Sequence, residues 1–350
     1  MPGTTTPSAR IQVDEAALDA AIAEASFSGV VVVDVGGERV LERAEGWMHR
    51  GFRVPMRADA RIAIASGSKL LTALAVLRLV EQGALRLDQR VRELLGHDLP
   101  LIDDAVTVEH LLGHTSGIGD YLDEEGDWSP ADFPLTVPPH ALTTAEAFLP
   151  LLGGFPQQHA PGARFAYCNG GYAVLAIVLE RVAGEPFQAV VRRLVLEPAG
   201  LAATDHLRLD ALPGDAARPY VFDEGDEEAV LRLPVQGSGD GGAFTTAADL
   251  HRLWLALLDG RIVRPETVAL MTAPRHEVPG EGKRAGLGVF LHGEHDALVV
   301  EGWDAGASFR STHLIASRTT VSVLGSTSDG GWPVIGALEP AIDAALAAGA

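Results

Sequence analysis

Strand signals at both ends of the chain and helix signals between them predict an α+β fold, in which an antiparallel sheet flanked by helices carries a mostly helical insertion. Three observations support this. Residues 30–35 and 38–45 read as strands around Gly36 and Gly37, a two-residue glycine turn of the hairpin type. Residues 286–291, 297–300, 308–315 and 319–325 read as four successive strands of a meander. Between them, from residue 85 to about 233, helix signals dominate.

Taken in order, residues 61–65 (RIAIA) form a short strand-like approach, and an apolar helix follows from Ser66 and closes at Gly83. Thr107 caps VEHLL, a helix over residues 171–182 ends at Gly184, and one over 187–196 is halted by Pro198. Thr246 and Asp249 give a capping-box-like start to LHRLWLALLDG, and the alanine-rich end from Val334 is a closing helix. The expected organisation is residues 11–84 and 235–350 as an α/β unit holding the sheet, with residues 85–234 as a mainly helical one. The acidic segments 123–132 and 223–228 are expected to be solvated loops.

Composition narrows the function. Apolar residues make up 47% of the 350 and charged residues 21%, as in ordinary globular proteins. Lys plus Arg is 27 against 47 Asp plus Glu, a formal charge of −20 that repels phosphate backbones and anionic lipid. Neither nucleic acid nor membrane is an expected partner. No run approaches the roughly 18 apolar residues of a spanning helix. The N-terminal residues lack the basic start and apolar core of a signal peptide, and one cysteine, Cys168, forms no intrachain disulfide, so cytoplasmic residence is expected. Only two of the 27 basic residues are lysines, Lys69 and Lys283. Arginine stays protonated in proteins, whereas a desolvated lysine can act as a base, which makes Lys69 a marked choice.

Ser66 and Lys69 lie three apart at the start of the buried helix, on one face, so the amine can reach the hydroxyl. A serine needs such a base to become a nucleophile, and a helix N-terminus offers N–H groups to an oxyanion. The competing reading is a capping serine and an ordinary first-turn lysine. Tyr167 and Asn169, two apart before the next helix, put a phenol and a carboxamide on one side; read alone they also fit a buried tyrosine and a capping asparagine.

With those residues in place, Ser66-x-x-Lys69, TVEHLLGHTSGI, PGARFAYCNGGYAVLAIVLERVAG, LEPAGL and GDGGAFTTAADLHRL occur in order over residues 25 to 330. In this the chain resembles the serine β-lactamase and penicillin-binding superfamily, in its class C and family VIII esterase branch. The resemblance implies a β-lactamase-like fold with the active site in a cleft between the sheet-bearing and helical parts, and an acyl-enzyme mechanism. Ser66 would be the nucleophile, Lys69 its base, Tyr167 the proton shuttle and Asn169 a polar orienting group. Relatives carry Lys-Thr-Gly or His-x-Gly on an inner strand, where this chain has Trp303, Asp304, Ala305 and Gly306. Trp303 is then a substrate-binding candidate, and a residue near Gly306 would share the oxyanion with the Ser66 N–H.

A neutral indole in place of a lysine weakens carboxylate-directed binding, and Asp304 opposes an anion further unless Arg310 offsets it. The expected function is therefore hydrolysis of a small neutral ester or amide, of carboxylesterase type. An acyltransferase, a D-amino-acid amidase or peptidase with the same nucleophile, and a non-catalytic ligand-binding sensor are the alternatives. No metal or organic cofactor is expected. Residues 237–242 fit Gly-x-Gly-x-x-Gly, but no βαβ series surrounds them and they read as a tight turn along the cleft. His110 and His114 are four apart yet lack the Glu of a metal motif, His292 and His295 read as loop residues, and Cys168 reads as a packed thiol.

Overall fold

The computed structural model describes residues 11–123 and 135–349. The residues weighed for a leader and all but the first residue of the acidic segment 123–132 lie partly or wholly outside the described residues.

The glycine hairpin forms as expected, β1 Gly29–Val35 and β2 Glu38–Glu45, with Gly36 and Gly37 both at positive φ. Next come two short pairs: β3 Trp47–His49 with β4 Val54–Pro55, and β5 Ile62–Ala63 with β6 Phe244–Thr245. The C-terminal part supplies β7 His276–Val278, β8 Lys283–Ala285, β9 Phe290–His292, β10 Ala297–Asp304, β11 Ala307–Leu314 and β12 Thr319–Gly325. The main sheet is antiparallel in the order β2-β1-β12-β11-β10-β9-β8-β7. The register Gly29↔Gly325 to Val35↔Thr319 joins the two ends of the chain.

Both faces of this sheet are covered, which is why β1 reads as an unbroken valine run rather than an alternating one. Val31 and Val33 pack with the helices α1 Glu15–Glu24 and Gly331–Ala347, while Val30 and Val32 face the larger core around α2 Lys69–Glu81 and the helix Asn169–Ala183. α2 is buried from Lys69 through Leu77. A helix apolar on all sides belongs inside a protein, and that burial carries its first residue, a lysine, into the core.

Four local expectations need correction. Residues 286–289 do not begin a strand: Gly286 N–H bonds Val289 O at 2.9 Å across a tight bend, and Gly288 (φ +75°) leaves no room for a side chain against Ala73. Pro198 does not halt the helix begun at Phe187; a widened π turn at Arg192–Leu196 lets the chain continue through Glu197–Ala199 to Gly200, which ends it in the left-handed region. Asp249 does not close a capping box: Thr246 accepts its N–H, but its carboxylate turns to Ala203 N and Thr204 Oγ1. The described residues of 85–234 are less helical than expected, since among them, apart from Asn169–Ala183 and 187–199, the helices are single turns between irregular segments.

Candidate active site

Ser66 sits in one 3₁₀ turn, Ala65–Ser68, between β5 and α2. The turn is fastened on one side by the segment before β6: Ile64 N–H bonds Ala243 O at 3.0 Å, and Ser68 Oγ accepts from Ala243 N–H at 2.9 Å while donating to Ala65 O at 2.7 Å. Ala65 is held at φ +44°, a left-handed strain that these bonds sustain. On the other side the turn presses on the sheet. A Cβ on Gly67 would fall 2.5 Å from the Phe309 ring, and one on Gly302 would fall 2.7 Å from Ser66 N. Both glycines are there because backbone meets neighbour directly.

Lys69 is 5% exposed, and its Nζ meets three oxygens: Ser66 Oγ at 2.9 Å, Asn169 Oδ1 at 2.8 Å and the Asp240 carbonyl at 2.7 Å. Asn169 is fixed by its own Nδ2, which donates to Leu122 O at 3.0 Å. The Tyr167 ring centre lies 5.0 Å from Lys69 Nζ, and Tyr167 shares two cavity walls with Ser66. The structure therefore brings Ser66, Lys69, Tyr167 and Asn169 together.

Trp303 also borders Ser66, in the walls of two of the three cavities beside it, with its indole N–H on Asp329 at 3.1 Å. Gly306 does not reach the site. It lies in the two-residue turn between β10 and β11, packs against Pro219 and gives its N–H to Ser328 Oγ at 3.0 Å. The glycine that the close approach demands is Gly302. Since Asp304 and Ala307 flank the turn as a hydrogen-bonded pair, Trp303 opposite Ser308 is a non-bonded pair whose N–H points away from β11. It points to an edge that β9 leaves uncovered, because β9 pairs only with Leu298 and Val299. Arg310 does not offset Asp304 either, being bound to Glu301 and Glu339.

Three cavities border the serine, and the two larger ones differ in character. One, about 690 Å³, is walled by Leu122, Leu209, Leu233, Phe244 and Trp303 with Asp240 and Asp304 among them. The other, about 1120 Å³, is wider and is bordered by Tyr167, Arg164, Phe165, Phe290 and Trp332.

A sequence profile described as Beta-lactamase matches residues 15–348. Esterase EstB of Burkholderia gladioli is 33% identical over 306 residues, 77% of this chain and 74% of that protein. The chain belongs to the β-lactamase family. A solved penicillin-binding protein from Bacillus halodurans superposes with a TM-score of 0.85 at 33% identity, over 92% of this chain and 99% of that one. D-aminopeptidase of Brucella anthropi is 28% identical over 75% of this chain, which spans about half (49%) of that longer protein. The β-lactamase family is one of serine hydrolases, and this chain is an enzyme of that class.

The candidate site in this β-lactamase-family chain also contains residues that the sequence did not single out as functional. Asp240, read as part of a glycine-rich turn, supplies the carbonyl on Lys69. Its carboxylate accepts from Tyr121 Oη, and burial raises its pKa while Lys69 and Tyr121 pull it back. The Tyr121 phenol is pushed well above its usual value by burial and by Asp240. Asp120 accepts from Asn169 N–H at 2.5 Å and Gly170 N–H at 2.8 Å, so it caps the helix that presents Asn169; burial pushes its pKa up to about 6 against those bonds. His114, weighed above as a metal ligand, is buried beside Tyr167, while His110 caps Thr107. Cys168 is buried, and its Sγ accepts from Gly171 N–H as the helix cap. No helix among the described residues is long and apolar enough to cross a membrane.

Proposed function

We propose that the protein hydrolyses a small carboxylic ester through an acyl-enzyme at Ser66. One observation carries this reading: Ser66 Oγ lies 2.9 Å from Lys69 Nζ, while two carbonyl oxygens, which can only accept, take hydrogens from the same nitrogen. A neutral amine has two hydrogens and one lone pair, so with Asn169 and Asp240 holding the hydrogens the lone pair faces the serine hydroxyl.

In the reaction Ser66 Oγ bonds the ester carbonyl carbon as its proton passes to Lys69. The oxyanion is met by the N–H groups of Ser66 and Trp303. Tyr167 hands a proton to the departing alkoxide; water then attacks the acyl-enzyme and gives a proton to the Tyr167 phenolate, while Lys69 returns its proton to the departing Ser66 oxygen, releasing the acid and restoring all three groups. Tyr167 borders the wide cavity, which suits the alcohol, and Asn169 borders the narrower apolar one, which suits a modest acyl group. The similarity to EstB supports the ester assignment.

A second reading rests on Asp240 and Asp304 in the acyl-side wall. Carboxylates there favour an acyl group bearing an ammonium, as in an amino-acid amide or peptide, and the similarity to D-aminopeptidase fits it. The test for both is intact mass after exposure to neutral esters and amino-acid amides, with Ser66→Ala alongside. The expected result is an adduct on Ser66 with a neutral acyl group and none in the folded Ser66→Ala protein. Unchanged turnover in Ser66→Ala overturns the mechanism, and acylation by amides alone selects the second reading.

A further inference from the structure

Tyr167 is held on both flanks by a single residue. The carbonyl of His114 accepts from Ala166 N–H at 2.8 Å, and its Nδ1 accepts from Cys168 N–H at 3.1 Å. The N–H groups of the two residues that flank Tyr167 are thus tied to one point. The same imidazole stacks on the phenol ring, centroids 4.6 Å apart at 24°, and is backed on its other side by Tyr172 at 4.9 Å and 28°. Tyr172 is itself anchored, its Oη donating to Leu112 O at 2.9 Å. Phenol, imidazole and phenol form one stack against the cavity that also holds Ser66 and Lys69.

We propose that His114 is the positioning residue for Tyr167, setting both the backbone and the ring plane from which the phenol reaches the leaving group. The inference rests on the hydrolase reading above and adds a residue to it. His114 sits at φ +53°, a left-handed conformation that glycine or asparagine adopts at less cost. That cost is borne where the side chain touches the chemistry. An Nδ1 that accepts cannot carry the proton, so the neutral ring bears its hydrogen on Nε2. Burial, with Lys69 adding to it, pushes the His114 pKa down to about 3, so the clamp stays intact through the neutral range.

The experiment is a double-mutant cycle on ester hydrolysis with His114→Gly, Tyr167→Phe and the pair, with folding checked by thermal unfolding. Glycine removes the ring and the Nδ1 acceptor yet suits the backbone angle; should it not fold, His114→Asn, which also tolerates that angle and has no ring to stack, takes its place in the cycle. The expected result is a kcat lower by ~10²-fold with KM little changed, the size that a misplaced catalytic group costs. In the Tyr167→Phe background the same substitution adds nothing, because the group it positions is gone. Unchanged kcat in the folded variant, or a full additive loss in the Tyr167→Phe background, overturns the role. Ser66→Ala run alongside separates the two claims: turnover that survives it overturns the hydrolase reading and this inference with it. Loss of turnover together with additive costs overturns the His114 role alone.

Discussion

The chain has two lysines, and they lie in opposite surroundings. Lys283, on β8, one strand in from the β7 edge, is set among carboxylates, with Glu281 at 2.8 Å and Glu301 in direct contact; Glu301 is shared with Arg310. Lys69 has neutral oxygens at the same range, and the carboxylates near it accept hydrogen bonds from other groups, Asp240 from Tyr121 and Asp120 from the helix N-terminus. A carboxylate neighbour is satisfied by any permanent cation, and arginine fills that role across most of this chain. Carbonyl and hydroxyl neighbours leave room for an amine that gives up its proton. Under the proposed mechanism, the contrast predicts that Lys69 is needed as a lysine and that Lys283 is interchangeable with arginine.

The largest effect expected from that contrast is a pair of identical replacements. Lys69→Arg puts a group that does not deprotonate beside Ser66, and acylation should fall by ~10³-fold or more, near the upper range for loss of a general base. Lys283→Arg should keep its ion pairs and leave kcat where it was. Rapid-mixing measurement of acylation in both variants checks this. Equal losses in the two would erase the distinction between the regions.

A smaller effect probes how the neutral surroundings are built. Gly302→Ala places a Cβ 2.7 Å from Ser66 N, and backbone must move. Overpacking of this kind costs about 1–3 kcal/mol. A shift of the turn should also lower kcat by ~10²-fold. Gly306→Ala, at φ +78° and against Pro219, should cost stability without a matching loss in kcat per folded molecule. Denaturant titration and kinetics on both variants separate the two glycines.

Those two glycines also show where the sequence stops being legible. Ser66 and Lys69 are readable because one helical turn relates them, and Tyr167 and Asn169 because a spacing of two does. Gly302 and Gly306 are four apart on the same strand and turn, and only the approach of β10 to the Ser66 turn tells which one a side chain would spoil. His114, Asp120 and Asp240 escaped for the same reason: each acts through a bond to a distant segment, Cys168, Asn169 and Lys69 respectively. The long strands β1, β11 and β12 announced themselves through pattern, whereas β7, at the sheet edge, and β8 beside it are three residues each and carry charged residues. Pro198 ended a helix on paper, but the π turn before it is a tertiary accommodation.

The smallest expected effect concerns the charge kept one layer behind Lys69. Asp120 has its pKa pushed up to about 6 by burial, against the pull of its backbone N–H donors, from an ordinary value of 3.8. Between those values the folded protein keeps a proton that the unfolded chain has released. The contribution of Asp120 to stability is therefore most favourable below about pH 4, declines as pH climbs, and levels off above pH 6, a swing on the order of 3 kcal/mol at most. Asp120→Asn removes the titration. The difference in unfolding free energy between parent and Asp120→Asn, measured in denaturant at pH 4 and pH 7, should then move against the parent at the higher pH. A difference that moves the other way means that the helix N-terminus and its N–H groups outweigh burial, so that Asp120 is an ionised cap across the whole range. The negative charge behind Asn169 would then already be present at pH 4, rather than appearing only as pH rises through about 6.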